Sequence, residues 1–310
     1  MLLNCKFKFY SLLLFLSFFF SFPSFGETHK VQVLEKKETE FYFSLKARKF
    51  SQGEMVLVVF KPKTSLGVSD VKIYFDEREI FLFEKNGELK GFFGIDPEDF
   101  VGEHTIRLKS SKLFSDNFQK LYSVPISKTD FQVTKKQSLR LNKKYVSAQL
   151  SQETLNFIED CKTKKKKAFA NRIENTLTDG FVAPVDVVSY TSLFYARRDY
   201  NRTKGKPHGG LDYRGPAGTN IYAIESGYVE VAEPMYYEGN FTIINHGNFI
   251  YSFYMHQSAF TVKPGEFVKK GQKIGEIGST GMSTGPHLHL GVKVGNVLVD
   301  PASAIHLKYY

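Results

Sequence analysis

Two histidines, His287 and His289, stand two residues apart in Gly285-Pro286-His287-Leu288-His289. Strand-like stretches flank them at residues 272–277 and 290–294. Side chains in a strand alternate with period two, so both imidazoles project from one face. Such a pair suits a site where one ring binds a metal and its neighbour moves a proton. About eighty residues upstream, His208-Gly209-Gly210-Leu211-Asp212 sets an imidazole and a carboxylate four apart around two glycines. Glycine lets the chain curl tightly enough for the two side chains to converge. Two histidines, an aspartate and a water in the fourth position make an open tetrahedral zinc site of the hydrolytic kind. His256 ends a strand-like run over residues 249–255 and adds an imidazole with no evident structural task. Singly, each residue is as well explained by a core hydrogen bond or a turn cap. Their gathering in one segment is what points to a metal.

The elements that must position these residues come from a chain of 310 residues, enough for two ordinary domains. Lys6 and Lys8, the apolar run from Phe9 to Phe20 and Ser24-Phe25-Gly26 have the order of a secretory signal peptide over residues 1–26. The run falls short of the roughly 20 apolar residues of a spanning helix, and an uncleaved N-terminal anchor is the alternative. The chain is then expected outside the cytoplasm, in the periplasm or cell envelope. Its net formal charge is +10, or +8 once Lys6 and Lys8 are set aside with the leader. That excess favours anionic envelope surfaces. Export and the absence of any nucleic-acid motif argue against nucleic acid as a partner. Beyond the leader Cys161 is the only cysteine, so no internal disulfide can form and cores must supply the stability. No feature of the sequence speaks to oligomeric state.

An all-β architecture in two parts is expected. Residues 27–128 carry short strands at 30–34, 40–45, 55–61, 71–75, 80–84, 89–93, 104–109 and 122–126, with Asn86-Gly87 as a two-residue hairpin turn. This predicts an immunoglobulin-like sandwich. Residues 129–180 form a connector. Within it Ser151 caps a helix running from Gln152 toward Arg172, with Glu153 in the first turn and a partial stripe of Leu155, Ile158 and Phe169. Its polar middle, including Lys162 and the run Lys164 to Lys167, predicts a solvated helix lying across both domains. Residues 181–305 are Gly-rich, lack helical periodicity and predict an antiparallel β domain.

This last segment resembles the lysostaphin-type (LytM-like) zinc metallopeptidases, the family of murein endopeptidases. The likeness runs through Phe194-Tyr195-Ala196-Arg197-Arg198, His208-Gly209-Gly210-Leu211-Asp212, Gly227-Tyr228-Val229, His246-Gly247-Asn248 and Tyr254-Met255-His256. It ends in Gly278-Ser279-Thr280-Gly281-Met282-Ser283-Thr284-Gly285-Pro286-His287-Leu288-His289. The resemblance implies that His208, Asp212 and His289 bind Zn2+ and that His256 and His287 sit beside it as catalytic groups. It implies peptidoglycan as substrate and hydrolysis of peptide bonds in its stems or cross-bridges. Tyr195 stands where the family usually has glycine, and Met255, Gln257, Leu290 and Gly291 also depart from the usual pattern. Looser likeness extends to Leu139-Arg140-Leu141-Asn142-Lys143-Lys144-Tyr145-Val146, similar to connectors of exported members.

An imidazole titrates near ~6.5, so it can take a proton from an activated water near neutral pH. His287 is the expected general base and His256 the expected hydrogen-bond donor to the oxyanion, two roles that can be exchanged at this level. The alternative from another class is a non-catalytic peptidoglycan-binding regulator that activates cell-wall amidases. Such a protein lacks the ligands, and all five site residues are present here. A protein-directed peptidase is a third reading. The length of the connector also suggests that it, or the N-terminal domain, reaches back over the groove and inhibits it.

Overall fold

The computed structural model describes residues 31–64, 66–112, 118–136, 145, 149–200 and 205–307. The expected leader and the tract 139–146, apart from Tyr145, lie outside them. Among the described residues no helix is long and apolar enough to cross a membrane.

The N-terminal part is two antiparallel sheets. One runs Gln32–Lys37, Phe41–Ala47, Met55–Pro62, Glu88–Gly94, Leu82–Lys85; the other runs Arg78–Ile80, Val71–Phe75, Gly102–Ser110, Phe118–Ile126. Their facing side chains share one core that includes Phe41, Phe43, Val58, Phe60, Ile73, Phe75, Ile106 and Val124. The hairpin at Asn86-Gly87 forms with both residues at positive φ, 56° and 72°, pairing Lys85 with Glu88. The strand expected over residues 80–84 is broken at Phe81. Ile80 pairs with Ile73 in one sheet and Leu82 with Gly91 in the other. The chain changes sheets there, which alternation alone does not reveal.

Met55–Pro62 explains how the two domains join. Its first six residues are all buried. Val56, Val58 and Phe60 point into the sandwich, while Met55, Leu57 and Val59 point the other way, into the core of the C-terminal domain. Period two thus feeds two cores from one strand. Polar ties reinforce the seam. Arg48 reaches Glu54 and Asp300, each at 2.6 Å, and the Met55 N–H donates to Ser303 Oγ at 3.0 Å.

The connector helix is Gln152–Ala170, and the Ser151 hydroxyl accepts from the Thr154 N–H at 3.2 Å. It lies along the C-terminal sheet, not across both domains. Ile158, Cys161 and Ala168 are its buried residues, and Cys161 and Ala168 pack in a cluster with Val231, Phe241, Tyr251 and Phe253. Leu155, expected in the stripe, is 45% exposed. The basic run is partly neutralised, because Lys164 pairs with Asp160 and Glu233 and Lys165 with Glu238.

The C-terminal domain is built on an antiparallel sheet in the order Tyr190–Ser192, Leu211–Arg214, His287–Val294, Ile250–Gln257, Gly239–Asn245, Gly227–Met235, Phe267–Val268. Val297–Val299 forms a hairpin with His287–Val294. A small three-stranded sheet of Asn220–Tyr222, Lys273–Glu276 and Ala259–Phe260 contributes Ile221 and Ile274 to the same core. One helix was not expected. Pro301–His306 is capped by the Asp300 carboxylate, which accepts from the Ala302 N–H at 3.0 Å. Asp followed by Pro is a helix-start signal, but six residues are too few to show helical periodicity.

Candidate metal centre and groove

Sheet register brings the site together. Leu211–Arg214 and His287–Val294 are neighbours, and Asp212 lies directly opposite His289. Opposed residues of an antiparallel pair share a face, so carboxylate and imidazole meet. His208 arrives from the loop just before Leu211. Its Nε2 lies 2.9 Å from Asp212 Oδ1 and 2.9 Å from His289 Nδ1, and those two atoms are themselves 2.9 Å apart. Gly210 makes the closure possible. A Cβ there would come within 2.6 Å of His289 Nε2 and 2.3 Å of the Leu290 carbonyl oxygen.

The three side chains are held in ligand-ready forms. Burial alone would raise the Asp212 carboxyl, but His208 and His289 hold it well below the ordinary carboxylate range, so it is ionised. Burial pushes the His289 imidazole down, against the pull of Asp212, so it is neutral. Neutral imidazole and ionised carboxylate are the forms that bind a metal. The His208 Nδ1–H donates to the Leu193 carbonyl at 2.8 Å, which turns Nε2 toward Asp212 and His289 as the atom that would bind an ion.

His287 shares the face of His289, as the period-two argument requires, and its Nε2 lies 3.8 Å from Asp212 Oδ1. The His287 Nδ1–H donates to the Gly285 carbonyl at 2.8 Å. His256 reaches the groove differently. Met255 is opposite His289 and faces the site, so regular alternation would turn His256 away. Instead His256 has φ 65°, which breaks the alternation and puts its ring 4.8 Å from that of His287. Its Nδ1–H donates to the Thr280 carbonyl at 2.8 Å. Burial, with His287 adding to it, lowers the His256 pKa to about 4. A neutral ring whose Nδ1 carries the proton offers a bare Nε2, an acceptor only.

The structure therefore brings all five candidate residues to one groove of about 630 Å³. Its walls also include Thr191, Tyr237, Glu238, Met255, Met282, Ser283 and Thr284, and every lining residue falls between 191 and 289. The sequence reading missed what orients the rings. Those partners are the carbonyls of Leu193, Thr280 and Gly285, and a backbone carbonyl leaves no mark on residue type. His246, by contrast, is not a site residue. It is wholly buried, with Nδ1–H donating to the Ser226 carbonyl at 2.8 Å and Nε2 2.9 Å from Ser252 Oγ.

Known proteins resemble this chain over the segment that holds the site. Residues 206–301 match peptidase family M23. Peptidoglycan DD-endopeptidase ShyB of Vibrio cholerae is 39% identical over 140 residues, covering 44% of this chain and 33% of that protein. ShyC of the same organism, also a peptidoglycan DD-endopeptidase, is 36% identical over 156 residues, 50% of this chain and 34% of that protein. The matched stretch thus spans about a third of the length of these relatives. A crystal structure of a peptidase M23 protein from Pseudomonas aeruginosa superposes with a TM-score of 0.61 at 23% identity, covering 83% of this chain and 96% of that one, a likeness of fold. The resemblance to lysostaphin-type metallopeptidases is met in these matches. The two-imidazole, one-carboxylate donor set is a catalytic zinc set, and zinc is the ion it fits.

Proposed function

We propose that this chain, with its M23 segment over residues 206–301, is an exported zinc metalloendopeptidase that hydrolyses peptide bonds in peptidoglycan stems or cross-bridges. The carrying observation is the convergence of the His208, Asp212 and His289 ligand atoms, mutually 2.9 Å apart, beside two imidazoles locked in one tautomer. The identity of ShyB and ShyC as peptidoglycan DD-endopeptidases supports peptidoglycan as substrate and a DD bond as target. The leader-like residues 1–26 and the basic charge support an envelope location with affinity for its anionic surfaces.

In this reading His208, Asp212 and His289 hold zinc. When bound, it supplies a Lewis acid that polarises the scissile carbonyl and acidifies water from ~15.7 toward ~7. His287 is assigned as the proton acceptor, because its bare Nε2 lies against the ligand set. The water oxygen bonds to the carbonyl carbon, its proton passes to His287 Nε2, and that proton then goes to the amide nitrogen as the C–N bond breaks. His256 rests neutral, so it can donate to the oxyanion only after gaining a proton. That is a stricter condition than residue type alone imposes.

The proposed division is a leader at 1–26, a sandwich at 27–128, a connector at 129–180 and the peptidase at 181–305. What supports an immunoglobulin-like sandwich is the strand order. Four neighbours, Phe41–Ala47, Met55–Pro62, Glu88–Gly94 and Leu82–Lys85, follow an A-B-E-D sheet, and Val71–Phe75, Gly102–Ser110 and Phe118–Ile126 follow C-F-G. The amidase-activating regulator has no observation in its favour, since no ligand is missing. The test is mass spectrometry of fragments released from murein sacculi, with and without chelator. Chelator-sensitive release of peptide-cleaved muropeptides is expected; intact sacculi after digestion with zinc-loaded protein would overturn the function.

A further inference from the structure

We propose that Tyr195 is a positioning residue for the zinc ligand His208, and that the N-terminal sandwich holds it in place through Glu98. The inference rests on the metal-site reading above. Residue 195 has φ 56°, in the left-handed region that glycine occupies freely and a bulky aromatic residue rarely does. A strained conformer persists only where its surroundings over-determine it. Here they do. The Tyr195 hydroxyl donates to the Glu98 carboxylate of the sandwich. Its ring packs on Phe131 at 4.7 Å between centroids. The preceding Phe194 is buried against Gly53, where a Cβ would come within 3.1 Å of its ring.

The turn held in this way is the one that orients His208. The Leu193 carbonyl takes the His208 Nδ1–H, the Tyr195 N–H donates to the His208 carbonyl at 2.8 Å, and the His208 N–H donates to the Ala196 carbonyl at 3.0 Å. Tyr195 and Glu98 are not among the residues lining the groove. Their effect must pass through this turn, whose Leu193 carbonyl fixes the His208 tautomer and ring angle and whose backbone bonds at Tyr195 and Ala196 hold the His208 main chain. The N-terminal domain is then part of the metal site's scaffold. Glycine at 195 would relax the backbone but cut that tie.

The experiment uses the full chain and measures zinc affinity by competition with a chromophoric chelator, beside the melting temperature of the metal-free protein and kcat on sacculi. Glu98 is exposed, so Glu98→Ala is expected to fold and melt as wild type does. Both Glu98→Ala and Tyr195→Phe are expected to weaken zinc binding by roughly tenfold, the low end for a partner that orients a metal ligand. The double variant is expected to lose no more than either single one, because both changes cut the same tie. Zinc affinities within twofold of wild type, or losses that multiply in the double variant, would overturn the proposal. Failure of the function itself looks different: wild type would bind zinc and release no muropeptide, while the affinity differences persisted.

Discussion

The two histidine networks at the two ends of Ile250–Gln257 are made from the same parts and end differently. His246, Ser252 and Tyr254 form a closed network. Ser252 Oγ lies 2.9 Å from His246 Nε2 and 3.0 Å from the Tyr254 hydroxyl, which in turn accepts from the Ile224 N–H. His256, at the end of the same strand, is also buried and also donates through Nδ1 to a carbonyl. Burial lowers both rings to about 4. The difference is the other nitrogen. In His246 it is occupied by a hydroxyl, whereas in His256 it has no hydrogen-bond partner among the described residues and its ring lines the groove. Depressed basicity marks both, so it cannot separate a structural histidine from a reactive one. The unfilled acceptor facing a cavity does.

The contrast is sharpest at the three proposed metal ligands. His208→Ala, Asp212→Ala or His289→Ala is expected to abolish zinc binding and cut turnover on sacculi by about 10³-fold or more, read as metal content and dye release. Tight zinc retention in any of the three would break the ligand assignment. A chain beginning at residue 178 is expected next in size, and it bears on the autoinhibition idea. Removing the sandwich uncovers apolar surface now covered by Met55, Leu57, Val59, Phe83 and Phe92. Each such side chain contributes about 1.5–3 kcal/mol when buried. The truncated chain should therefore be less stable and less active, and higher turnover would restore inhibition as the sandwich's role.

His256→Ala and His287→Ala should keep zinc and lose about 10²- to 10⁴-fold in kcat. Near wild-type turnover in the His256 variant would place that ring with His246 as structural. The smallest effect is on stability. His246 is held at about 4 against an ordinary value near 6.5. As pH falls below 6.5 the unfolded chain takes up a proton that the folded chain refuses until about 4. Stability from this ring is therefore full above 6.5 and lost between 6.5 and 4, by roughly 3 kcal/mol. Urea melts of metal-free protein should show a shallower acid loss in His246→Gln, and identical slopes would remove His246 from the account.

Much of this was legible in residue order. Asn86-Gly87 announces its hairpin because only residues tolerant of positive φ make that turn. Ser151 announces its helix because a hydroxyl there satisfies a free N–H. The sheet register that joins Asp212 to His289 was not legible, because no strand was read at Leu211–Arg214 and the pairing of distant strands leaves no mark on either one. Other features were hidden. The tract Met55 to Phe60 shows burial on both sides but not what covers the second side. The connector helix has a stripe too weak to name its partner, so its seat on the C-terminal sheet was missed.

Residue types and spacing alone singled out His208, Asp212, His256, His287 and His289 as groups able to bind zinc or move a proton, because those capacities belong to side-chain types and to the alternation of a strand. The division into ligands and catalytic groups came from the family resemblance. Tertiary structure decided which imidazoles are open to the groove and which are sealed. The positive φ of His256 and Tyr195, the carbonyls that choose each tautomer and the sandwich behind the His208 turn depend on contacts between distant segments. A backbone oxygen is the same in every residue, so only folding says which ring it meets.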